Sequence, residues 1–135
     1  MRWVRIAVAN FLFKSMRFIN SFKYAWQGIK YCSVFEKNFR VQLAFAVMAF
    51  FLAVIFRIST AEWFAILFCS ALVLAFEMIN TTIEKLSNVV TVSVHPVIKQ
   101  VKDIAAGAVL IVSVISFITG CIIFLPKLQS FLNSI

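Results

Sequence analysis

Two carboxylates and two amides lie close together in a stretch of this chain that is otherwise apolar. Glu77, Asn80, Thr81, Glu84 and Asn88 are spaced i, i+3, i+4, i+7 and i+11, so at 100° per residue all five project onto one face of a helix. The chain has only five acidic residues in all, and two of them are on this stripe. Ionisable groups at membrane depth face a bundle interior or a wet cavity, where they are paired, coordinated or functional. Two carboxylates beside an amide suit a divalent cation and a proton acceptor. The competing reading is a structural stripe that joins helices by hydrogen bonds, or a carboxylate paired with a lysine.

Glu36 is the third candidate ligand. By itself, in Phe35-Glu36-Lys37-Asn38-Phe39-Arg40, it reads as a solvated charge among basic neighbours. Beside the stripe it becomes a further oxygen donor, because Mg²⁺ takes carboxylate oxygens together with substrate phosphates and retained waters. Asp103, next to Lys102, either serves a nucleotide or caps a helix. The only glycines are Gly28, Gly107 and Gly120, so no glycine-rich phosphate loop can be written. A nucleotide site would be built from side chains.

The elements that hold these groups follow from composition. Of the 135 residues 63% are hydrophobic and 13% charged, with mean hydropathy +1.00, which excludes an ordinary soluble core. A membrane helix needs about 20 apolar residues, and this predicts membrane helices over 41–58, 61–87 and 103–125 in a single all-α domain, 1–135. Residues 1–37 mix Trp, Phe and Ile with Lys and Arg at helical spacing, as expected of an amphipathic helix on the membrane surface. No long apolar core follows Arg2 and Arg5, so a cleaved signal peptide is not expected. Arg57-Ile58-Ser59-Thr60 reads as a tight loop with Thr60 as N-cap, Val89–Gln100 as a cytoplasmic loop, and Pro126 as the end of the third span.

Charge orients the spans. Eight of the thirteen Lys and Arg precede the first span, three lie between the second and third, and only Arg57 lies between the first and second. By the positive-inside rule the N-terminus and second loop are cytoplasmic. The formal charge of +8 is distributed as a topology signal and not along a nucleic-acid groove. Cys32, Cys69 and Cys121 are odd in number and widely spaced, without a disulfide framework or zinc spacing.

The stripe and its surroundings resemble a known family. Glu77-Met-Ile-Asn80-Thr-Thr-Ile-Glu84 is similar to the E-x-x-N-x-x-x-E signature of prokaryotic diacylglycerol kinase and undecaprenol kinase. The similarity continues in register through Arg17-Phe-Ile-Asn20, Tyr24-Ala-Trp26-Gln-Gly28, Glu36, Phe39-Arg40, His95-Pro96 and Lys102-Asp103. It implies a homotrimer of three-span subunits with a surface helix, in the bacterial inner membrane. It also implies transfer of the γ-phosphate of ATP, with Mg²⁺, to the hydroxyl of a membrane lipid, undecaprenol or diacylglycerol. Phe22-x-x-Ala25-x-x-Gly28-Ile29, His95-Pro96 and Phe124-Leu-Pro126-Lys127 look more like undecaprenol kinase.

Carried onto this chain, the resemblance makes Glu77 the general base with Asn80 beside it, and Glu36 and Glu84 the metal ligands. Arg17, Tyr24, His95, Lys102 and Asp103 match positions that bind nucleotide or hold the site. Asn88 stands where the family usually has Asp, and Gln42 where relatives carry Glu or His. The first departure motivates the alternative of a catalytically impaired homologue with a structural or regulatory role. A proton-coupled transporter would explain membrane glutamates but not Glu36, Asn80 and Lys102-Asp103. The charge asymmetry yields a direct test: a cysteine placed at Ser59 should react with impermeant thiol reagent from outside, and one at Thr91 only from inside. Labelling of both from one side would overturn the three-span topology.

Overall fold

The computed structural model describes residues 20–90 and 95–133. The chain forms two compact units, Met1–Phe35 and Glu36–Ile135. The described part of the first is a helix, α1 (residues 20–35), in which Tyr31 and Phe35, one turn apart, stack with ring centroids 4.9 Å apart. Its aromatic residues Phe22, Tyr24 and Trp26 are exposed.

The second unit contains α2 (Lys37–Ile55), α3 (Thr60–Val90) and α4 (Pro96–Leu132). All three are long and apolar enough to cross a membrane. α3 packs against both α2 and α4, more extensively against α4. Most large apolar side chains outside these seams are exposed, as expected where lipid or another protein surface covers them.

The α2–α3 connection is set by local backbone chemistry. After the C-cap Phe56, the Ile58 amide donates to the Ala53 carbonyl and the Arg57 amide to that of Val54, both at 3.2 Å. This is a Schellman motif, and its two apolar positions, Ala53 and Ile58, are buried in one cluster with Ile66 and Ile123. Arg57 takes the left-handed position, with φ 48°, which is usually reserved for glycine. The next helix opens on a capping box. The Glu62 amide donates to Ser59 Oγ at 3.4 Å and the Ser59 amide to Glu62 Oε2 at 2.7 Å, so Ser59, and not Thr60, is the N-cap.

Three other sequence expectations differ from the structure. The loop after α3 is shorter than Val89–Gln100, because α3 runs to Val90 and α4 starts at Pro96. His95 is held extended, with φ −109° and ψ 128°, as a residue before proline prefers. Proline then begins the helix, where its missing N–H costs no helical bond. Asp103 therefore lies two turns inside α4 and caps nothing. Nor does Pro126 end the helix, which continues to Leu132. Just past this proline, Lys127 Nζ pairs with Glu62 Oε1 at 3.2 Å, joining the far end of α4 to the first turn of α3.

The strained Arg57 supplies a stability prediction. A left-handed non-glycine residue costs about 1–2 kcal/mol, partly offset by the greater unfolded freedom of glycine. Arg57→Gly should therefore stabilise the protein in detergent by roughly 0.5–1 kcal/mol, read as a higher unfolding midpoint. A lower midpoint would mean that the arginine side chain contributes more than the backbone strain removes.

Candidate functional site

The polar stripe sits on the last four turns of α3 and is divided by depth. Glu77, Asn80 and Thr81 are buried, at 3%, 6% and 5% exposure, whereas Glu84 and Asn88 are exposed. Glu77 is thus a carboxylate enclosed by helices, while Glu84, two turns on, is open to the surroundings. This gradient separates an enclosed carboxylate from an open one.

Four polar contacts tie this end of the bundle together. Gln42 Nε2 of α2 donates to Glu77 Oε2 at 3.0 Å. Within α3, Asn80 Nδ2 donates to Glu84 Oε1 at 3.3 Å. Lys85 Nζ pairs with Glu36 Oε1 at 3.0 Å, linking α3 to the N-cap residue of α2. Lys102 Nζ of α4 donates to Asn88 Oδ1 at 2.6 Å. The second and third helices are therefore joined twice, and the third and fourth once.

Several expected residues each take part in one of these paired contacts: Glu36, Glu77, Asn80, Glu84 and Lys102. His95, just before α4, and Asp103, two turns inside it, are exposed, and among the described residues neither takes part in these contacts. Tyr24 is exposed on α1, and Arg17 lies outside the described residues. Two participants were not read as site residues in the sequence, Gln42 and Lys85. Gln42 did carry a signal, since it is the one polar residue in the apolar run from Val41 to Phe56.

The donor types present, carboxylate and amide oxygens, are those magnesium prefers. Among the described residues no group of three or more His, Cys, Asp or Glu could hold a metal on its own, so the protein would supply one or two carboxylates and the substrate phosphates the rest. That is the usual mode for Mg²⁺. Glu36 and Glu84 are hard oxygen donors, and among the described residues buried Asn80 Oδ1 has no hydrogen-bond partner, leaving a neutral oxygen beside Glu84.

Two crevices flank the stripe. One, of about 320 Å³, runs between α3 and α4 and includes Asn80 among Phe76, Ile79, Ile83 and Ile104. The other, of about 480 Å³, opens between α2, α3 and α4, with Gln42 among apolar residues such as Phe45, Leu52, Phe117 and Phe124.

The family model described as prokaryotic diacylglycerol kinase matches residues 23–124, a span that includes Glu36, Glu77, Asn80, Glu84 and Lys102. The chain is 38% identical to an undecaprenol kinase of Bacillus subtilis (strain 168), over 83% of this chain and 91% of the relative. It is 33% identical to a diacylglycerol kinase of Synechocystis, over 82% of this chain and 63% of the relative. A diacylglycerol kinase of Escherichia coli (strain K12) matches at 25% over 79% of this chain and 88% of the relative. A family model that covers most of the chain and a relative 38% identical over 83% of it show that the chain belongs to the prokaryotic diacylglycerol kinase family.

Proposed function

We propose that this lipid kinase transfers the γ-phosphoryl group of ATP to the hydroxyl of a membrane lipid alcohol, undecaprenol or diacylglycerol, with Glu77 as the general base. The observation that carries the reading is Glu77 itself. A carboxylate at 3% exposure in an apolar helix is costly unless hydrogen-bonded, and it is fixed from the neighbouring helix by Gln42. An enclosed, oriented acceptor of this kind suits removal of a proton from an alcohol that approaches within the membrane.

In the proposed step a carboxylate oxygen of Glu77 accepts the lipid hydroxyl proton as the hydroxyl oxygen attacks the γ-phosphorus. The bond from that phosphorus to the β-phosphate bridging oxygen breaks, and ADP leaves with the electron pair. Glu77 then returns its proton to solvent. Such transfers depend on positioning and charge neutralisation more than on covalent chemistry by the protein. Glu36 and Glu84 would hold Mg²⁺, which when bound neutralises charge on the nucleotide phosphates. Lys85 keeps Glu36 beside α3, and Lys102 brings a cation to the end of α3. Arg17, Tyr24, His95 and Asp103 are proposed as nucleotide contacts or supports.

Undecaprenol is the better supported acceptor, since the relative bearing that name has higher identity than the two diacylglycerol kinases above. The active reading is also favoured over the impaired one by Asn88, which keeps an acceptor oxygen on Lys102 where a family aspartate would make the same contact with added charge. The proposed setting is a homotrimer in the bacterial inner membrane, with the N-terminus cytoplasmic.

Purified protein given radiolabelled ATP, Mg²⁺ and a panel of undecaprenol, diacylglycerol and monoacylglycerol should phosphorylate undecaprenol at the highest kcat/KM. Glu77→Gln should lower kcat by about 10² to 10⁴ fold while ATP binding stays at the wild-type level. Unimpaired turnover by that variant would require another base. Glu36→Gln and Glu84→Gln should each raise the Mg²⁺ concentration needed for half-maximal activity and recover in part at high Mg²⁺, because weakened coordination is offset by mass action. A variant with an unchanged Mg²⁺ titration is not a ligand.

A further inference from the structure

Gln42 does more than join two helices. Its Nε2 donates to Glu77 Oε2 at 3.0 Å, and that bond fixes the amide's orientation, because the reversed amide would set its carbonyl against the carboxylate, acceptor against acceptor. The Gln42 Oε1 atom is consequently left buried and, among the described residues, without a hydrogen-bond partner, at the edge of the largely apolar crevice between α2, α3 and α4. A buried acceptor without a partner destabilises the fold, and an apolar side chain of the same length would avoid that cost. Packing therefore does not account for an amide at this position. The bond to Glu77 does.

We propose that Gln42 is a positioning residue for the phosphoryl transfer, its amide holding one oxygen of Glu77 so that the other is presented to the lipid hydroxyl. This rests on Glu77 being the base. Gln42 touches neither nucleotide nor metal in this role and acts only through Glu77. Without the donor, the Glu77 side chain is left to rotate about its terminal bond, and small errors in the placement of a reacting group are expensive in rate.

The test is a double-mutant cycle on full-length protein in detergent with undecaprenol, Mg²⁺ and radiolabelled ATP. Gln42→Met is close in length to glutamine, packs in the apolar crevice and has no N–H. It should lower kcat by about tenfold to a hundredfold, leave the KM for ATP unchanged, and unfold earlier than wild type on heating while staying folded at the assay temperature, because buried Glu77 loses its donor. Gln42→His, which can again offer an N–H to Glu77, should recover part of the loss. In a Glu77→Gln background, Gln42→Met should have no further effect on kcat, because the group it positions is gone. Wild-type kcat in Gln42→Met, or an equal fractional loss with and without Glu77, overturns the positioning role. The Glu77→Gln single variant separates the two ideas: if it turns over normally the base assignment fails by itself, whereas its inactivity beside an unaffected Gln42→Met refutes only the role of Gln42.

Discussion

A carboxylate enclosed among membrane-spanning helices is the constraint on which the rest of this protein turns. Glu77 cannot face hydrocarbon without a large cost, so its position on α3 demands a neighbour that can donate to it. Gln42 meets that demand from α2, and doing so fixes how far along and around each other the two helices sit. In lipid there is little hydrophobic force between helices, since the surrounding tails are as apolar as leucine. A few polar contacts can therefore decide a register that apolar surfaces leave open.

The same logic extends along the seam. Glu36 at the start of α2 meets Lys85, and Lys102 in the second turn of α4 meets Asn88. Each of these side chains is at least partly exposed, so in water such contacts would be worth about 1 kcal/mol or less. Their value is geometric. They bring the N-terminal turns of α2 and α4 to the C-terminal turns of α3, which gathers carboxylates and cations from three helices at one end of the bundle. An enclosed carboxylate lies on one side of that end and an open set of charges on the other.

The opposite end is built from different interactions. There the Schellman turn at Ala53–Ile58 and the Ser59–Glu62 capping box satisfy the helix ends locally, within a few residues. The apolar cluster of Ala53, Ile58, Ile66 and Ile123 and the pairing of Glu62 with Lys127 then bring in α4. One end is thus closed by turn chemistry and packing, and the other is held by side-chain polarity that the reaction can use.

The apolar runs determined by themselves that three long helices form, because only a helix satisfies its own backbone in lipid. The period of the polar residues likewise determined that Glu77, Asn80 and Glu84 share one face of α3. Helix ends were less legible. Ser59 and Thr60 are equally good caps by residue type, and the Glu62 carboxylate chose between them. Pro126 would break a helix by propensity, yet α4 runs through it, as proline is tolerated in membrane helices whose neighbours and side chains make up the lost bond. Partnerships between helices were not legible at all. That Gln42 meets Glu77, that Lys85 takes Glu36, and that Asn88 answers Lys102 depends on how helices 14 to 49 residues apart in sequence rotate against one another, and a linear pattern specifies the face of each helix without specifying which face it meets.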